Sequence, residues 1–149
     1  MALSSLTHWS QEHIRRVFES DSDVETMEAI EATFSRSIRA NINGSERGYE
    51  QIKHSVLALR QEVRENGLKV VWHSTVEAPA DETNKRGSFG GAYTIHGIRR
   101  KLPGSEELVN LARHKVVTVR IESSSNNGGE LEDDRKIVHL VFVASDQPA

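Results

Sequence analysis

A change of hydrophobic period near residue 67 constrains the possible folds of this chain more than any other feature. Before it, apolar residues recur every three or four positions; after it, they alternate or run together with β-branched neighbours. The clearest helical stretch places Tyr49, Ile52, Val56, Leu59 and Val63 on one face. Arg60 and Arg64 suit the negative end of that helix, and Asn66-Gly67 suits a left-handed C-cap. Two helices are predicted upstream. The first carries Ile14, Val17 and Phe18 behind Trp9, with a cap at Ser10. The second opens at Ser22 and Glu25, a capping-box pair, and runs through Val24, Met27, Ile30 and Phe34 to end near Arg36. Residues 37–42 suit a small strand, and Asn43-Gly44 a turn.

Past the change of period, four strands are predicted at 68–78, 88–98, 116–122 and 136–144. Gly90-Gly91 suggests a bulge or bend in the second. Residues 99–113 are long for a hairpin, and 105–111 suit a helical turn that brings Leu108 and Leu111 together. Residues 123–135, rich in Ser, Asn, Gly and acids, are expected to form a mobile hairpin loop. Helices followed by strands indicate an α+β domain, and the short connections favour antiparallel neighbours. In the last two strands one parity is wholly apolar: Val117, Val119 and Ile121, then Val138, Leu140, Phe142 and Ala144. The other parity is mixed: Val116, Thr118 and Arg120, then Ile137, His139, Val141 and Val143. One face must meet the helices. The other is expected to be buried as well, by a dimer partner or around a ligand.

Composition narrows the function. The 149 residues suit one domain spanning the whole chain. A net charge of −3 argues against a dedicated nucleic-acid surface. The absence of cysteine excludes disulfides, thiolate metal sites and cysteine nucleophiles. No apolar run approaches a membrane span, and residues 1–16 lack a secretory apolar core, so a cytoplasmic location is expected. Gly87-Ser88-Phe89-Gly90-Gly91 is not a phosphate loop, because it lacks the Gly-Lys-Ser/Thr ending and leads into a strand. Arg99-Arg100-Lys101 reads as a solvated turn, and the acidic run 130–134 as a solvated loop.

The segment Ile42-Asn43-Gly44-Ser45-Glu46-Arg47-Gly48-Tyr49-Glu50-Gln51-Ile52 resembles the short strand, loop and helix start of the NTF2-like superfamily, in particular its SnoaL-like polyketide-cyclase branch. Asp134-Arg135-Lys136-Ile137-Val138, leading to Asp146, resembles that family's final strand, with Arg135 in place of the usual glycine. The resemblance implies a cone-shaped fold, with helices packed on a curved antiparallel sheet. It also implies a cavity between the two and commonly a homodimer through the sheet. Family members include cyclases, isomerases, dehydratases, ligand binders and association modules, so the fold does not fix the function. These motifs carry no match to the family's usual catalytic aspartate or histidine pair.

A cavity enzyme of this kind needs a proton-transfer group beside an apolar wall. His96 and His139 on predicted strands are the candidate catalytic pair, and Trp72, Tyr93 and Arg120 the candidate ligand-binding residues. In this reading a histidine moves a proton, and Arg120 or Tyr93 holds a developing oxyanion on a small apolar carbonyl compound. The bland alternatives are surface or interface histidines and core aromatics. His73, His96 and His139 lack metal-ligand spacing, so no metal and no cofactor are expected. The rival function is a non-catalytic dimerisation or partner-binding module. An open cavity of roughly 300 Å³ with convergent polar groups favours the ligand site; a cavity filled by aliphatic side chains favours the rival.

Overall fold

The computed structural model describes residues 3–63, 67–124 and 133–149. Helix α1 (Leu6–Glu19) starts one turn earlier than the expected cap at Ser10, because the Ser5 hydroxyl accepts the His8 N–H at 3.0 Å. Leu6 and Trp9 thereby join Ile14, Val17 and Phe18 on the buried face. Helix α2 (Asp23–Thr33) has the expected cap at Ser22, but its buried face is Thr26, Ala29, Ile30 and Thr33, while Val24 and Met27 are exposed. It stops before Arg36, because Phe34 is already extended and opens strand β1 (Phe34–Ile42). Asn43 and Gly44, both at positive φ, turn β1 directly into β2 (Ser45–Arg47). Helix α3 (Tyr49–Arg60) follows, and its Arg60 bonds Asp23 and the Ser20 carbonyl, locking it to the α1–α2 junction.

Four long strands complete the sheet: β3 (Lys69–Pro79), β4 (Gly87–Lys101), β5 (Leu108–Ser123) and β6 (Arg135–Pro148). The order is β2-β1-β6-β5-β4-β3, with every pair antiparallel except β1–β6, which is parallel. The four long strands are antiparallel neighbours, as expected, and the short first strand adds a parallel pair to them. That pair is possible because α3 and four strands, β2 to β5, separate the two partners, ample chain for a crossover. The helical turn expected at 105–111 is absent. Strands β4 and β5 instead run on until Lys101 faces Leu108, leaving Leu108 exposed while Leu111 is buried. The expected mobile loop lies mostly outside the described residues, as does Asn66 of the expected C-cap.

Of the four register shifts in the sheet, two bear on the faces of β4 and β6. Gly90 and Gly91 pair in unbroken register, so the bulge expected there is displaced to His96-Gly97. Gly97 has φ +98°, and a Cβ on it would lie 2.2 Å from the Gly67 carbonyl oxygen, so only glycine fits. In β6, Ile137 pairs with Ile121 and His139 with Arg120, which leaves Val138 as the extra residue of a second bulge. The bulge explains the mixed parity of the sequence: Ile137 and Leu140 both face the core although they differ in parity.

The helices cover one face only. Thr7 donates to Glu77 from its N–H and its hydroxyl, and Val70 N–H donates to Glu19, so both ends of α1 are clamped to edge strand β3. α3 packs on β1 at the other side. Among the described residues no helix is long and apolar enough to cross a membrane.

Candidate functional site

A cavity of about 70 Å³ lies between α1 and α3 and the covered face of the sheet. Ile14, Val17 and Phe18 line it from α1, and Ile52, Val56 and Leu59 from α3. These are the stripes that the three-and-four spacing builds, so the helices contribute an apolar wall. The sheet supplies Val117, Leu140 and Phe142, and also the polar groups: Tyr93 from β4, with Arg113 and Lys115 from β5. Exposed Ser55 and partly exposed Arg113 mark where the cavity approaches the surface. The volume is well below the roughly 300 Å³ expected of a ligand site, so on size alone the cavity favours the partner-binding module, and only its polar groups favour a ligand. It suits a molecule of about three or four heavy atoms, given that an apolar cavity of about 150 Å³ holds benzene.

Lys115 is the unusual group. It is only 7% exposed, and among the described residues it makes no hydrogen bond and no ion pair. Its Nζ lies 4.1 Å from the Phe142 ring centre, 4.8 Å from Phe18 and 5.5 Å from Tyr93. Burial, reinforced by the neighbouring Arg113 charge and opposed by Asp146, lowers its pKa to about 7. The three ring faces attract the charged form and offset part of the lost hydration. Burial likewise raises the pKa of the Tyr93 phenol, which therefore stays a donor across the physiological range.

Beside them, Asp146 is fully engaged. Arg113 donates to it at 2.7 and 3.0 Å, and Arg100 at 2.9 Å while also holding Glu62. The Arg113 hydrogen bonds hold the Asp146 carboxyl below its usual range, so it remains a carboxylate and a poor proton acceptor. The arrangement offers one amine able to take up or release a proton near neutrality, one phenol donor, and an apolar wall.

The candidate residues of the sequence divide between the two faces. Tyr93 lines the cavity. Trp72 pairs across the strands with Tyr93, their ring centres 4.5 Å apart, and stands behind it without reaching the cavity lining. Its indole fits because Gly91 has no side chain: a Cβ there would lie 3.0 Å from the ring. His139 and Arg120 face each other across β5–β6 on the uncovered side, where Arg120 bonds Glu122 at 2.6 Å. His96 is exposed beside the Gly97 bulge. Neither histidine lines the cavity. Lys115 lies one position before the strand that the β-branched run predicts at 116–122. A signal was present: Leu111, Arg113, Lys115, Val117, Val119 and Ile121 alternate on one parity, two cations within an apolar row.

No protein-family model matches the chain, and no curated protein matches it in sequence. Solved structures do match. An NTF2-like protein from Pseudomonas aeruginosa shares 11% identity over 93% of this chain and 94% of its own, with a TM-score of 0.59. A ketosteroid isomerase-like protein from Erwinia carotovora atroseptica shares 9% over 93% and 92%, TM-score 0.52. Nuclear transport factor 2 from Cryptosporidium parvum shares 7% over 97% and 100%, TM-score 0.53. One is similar to an isomerase and another is a transport factor, so their shared architecture carries no single activity. Three helices on a six-stranded, mostly antiparallel sheet, in this order and with these neighbours, give the chain the NTF2-like fold.

Proposed function

We propose that the chain is a small-ligand pocket protein that acts on a small apolar carbonyl compound without a cofactor, in the manner of an isomerase or dehydratase. The observation that carries this reading is Lys115, an amine buried without a hydrogen-bonding partner in an apolar cavity. Burying an ammonium costs several kcal/mol, and such groups concentrate at functional sites. In this reading Lys115 supplies the basic amine, and Tyr93 donates a hydrogen bond to the carbonyl oxygen as negative charge develops on it. The apolar walls select the hydrocarbon part of the ligand, and the cavity volume limits its size. His96 and His139 have no part in this proposal, because they lie outside the cavity.

Ligand-observed NMR with acetone, propan-1-ol and larger ketones tests the pocket. Small molecules should bind, and Val56→Phe, which fills the space, should abolish binding while leaving the protein folded. Binding that survives in Val56→Phe, or no binding of any small molecule, contradicts the reading.

A second reading, self-association through the uncovered sheet face, has its own support. Val76, Val116, Val141 and Val143 are exposed there, at 70%, 62%, 42% and 64%. Register places Val116 beside Val143, and Thr118 between Gly90 and Val141, so the patch is continuous across β3 to β6. A face of this kind suits a second copy of the chain. Val116→Lys should shift sedimentation from dimer to monomer and leave folding stability within about 0.5 kcal/mol. A wild-type protein that is monomeric at all concentrations removes this reading.

A further inference from the structure

We propose that Lys115 captures its ligand covalently, as an imine with a small aldehyde or ketone. The inference rests on the pocket reading above and specifies how the amine and the carbonyl meet. Three features of the geometry support it. Among the described residues the Nζ has no carboxylate partner, so no ion pair among them must be broken before it reacts. It is ringed by Phe18, Tyr93 and Phe142, at 4.8, 5.5 and 4.1 Å to the ring centres, which leaves cavity space as its free approach. Its surroundings are apolar, which disfavours water and so favours the dehydrated product.

The step balances without a co-reactant. The neutral amine's lone pair attacks the carbonyl carbon, forming a C–N bond as the C=O π bond opens. One amine proton moves to the oxygen, giving a carbinolamine. The hydroxyl then leaves as water with the second amine proton, and the C=N bond closes. Tyr93 is placed to hydrogen-bond the oxygen in both stages. The charged and titratable groups facing Lys115 are few. β4 presents Tyr93, its own strand Arg113, and β6 Asp146, which is already held by two arginines. Neither α1 nor α3 contributes a titratable side chain to the cavity lining. Burial, followed by the Arg113 charge, keeps a substantial share of the amine unprotonated near pH 7, whereas exposed lysines are almost wholly protonated there.

The test is reductive trapping. The full chain is incubated at pH 7 with propanal and cyanoborohydride, and each lysine is followed by peptide mass mapping. Lys115 should gain one propyl group about a hundredfold faster than exposed Lys69 and Lys101. Lys115→Arg, which preserves charge and bulk, should lose only the fast phase. Modification of Lys115 no faster than of the exposed lysines overturns the proposal. Propan-1-ol, which can fill the cavity but cannot form an imine, separates the two levels of inference. Alcohol binding without fast trapping defeats the imine and leaves the pocket standing; absence of both defeats the pocket as well.

Discussion

Among the described residues two buried cations, Arg135 and Lys115, lie on the covered side of the sheet, and their surroundings are opposites. Arg135, at 1% exposure, donates to Asp133 at 2.7 and 2.9 Å, to the Ser4 and Asn84 carbonyls at 2.7 and 3.0 Å, and to the Ser4 hydroxyl at 3.0 Å. Its guanidinium also lies 5.7 Å from the Trp9 ring centre. It ties the N-terminal segment, the β3–β4 connection and the start of β6 together. Lys115 has rings around it and, among the described residues, no acceptor. The contrast separates a clamp from a site. A planar cation with five fixed donors is tolerated in the interior when each donor has a partner. A lone amine in the interior adds cost without a matching bond, and is explained by chemistry rather than by stability.

Substitution at the two positions should therefore move stability in opposite directions. The largest effect is expected at the clamp. Arg135→Met leaves two carbonyls and Asp133 without their donor and should destabilise the fold by about 3–5 kcal/mol, read as a fall in the urea midpoint. A neutral result there would erase the distinction between the two cations.

Lys115→Met should instead be neutral or stabilise by about 1–4 kcal/mol at pH 6. The sign follows from proton binding. The folded pKa lies below the unfolded value, so between pH 7 and roughly 10.4 the unfolded chain binds the proton and the folded chain does not. Wild-type stability should then rise relative to Lys115→Met across that window, and stay at a constant offset below it. Parallel stability curves for the two proteins from pH 6 to 10 would show that Lys115 is not desolvated.

Asp146→Asn sharpens the comparison at smaller scale. Its carboxylate is a fifth exposed and shares two arginines, so about 1–2 kcal/mol should be lost. Asp146 also opposes the depression of the Lys115 pKa, so its removal should lower that pKa further. The wild-type carboxylate's contribution is present above the ordinary aspartate range and disappears as pH falls through its lowered pKa.

Helix α3 was legible in the sequence because its stripe, Tyr49 through Leu59, is apolar, and the start of α2 because its cap, Ser22 with Glu25, is local; the buried face of α2 was not, because two of its four residues are threonines. The turn at Asn43-Gly44 was legible because it too is local. The strand ends were not. β5 begins at Leu108, eight positions before the run of β-branched residues, because pairing with β4 rather than propensity extends it. That extension carries Arg113 and Lys115 into the sheet, so the candidate site was hidden by an error in strand length. The mixed parity around Ile137 was visible but not interpretable, since a bulge at Val138 is defined by its partner strand. In the sequence Arg135 stands out only as a departure from a glycine. Its partners at Ser4 and Asn84 are far away in sequence, and nothing local announces them.

The proposed function depends on an amine that is buried and, among the described residues, unpaired. The ¹³Cε resonance of Lys115, assigned by comparison with Lys115→Arg and followed by NMR from pH 5 to pH 11, measures that directly. A midpoint near 7, separate from the other lysines, is the predicted result. A midpoint near 10.4 in company with the exposed lysines would contradict it.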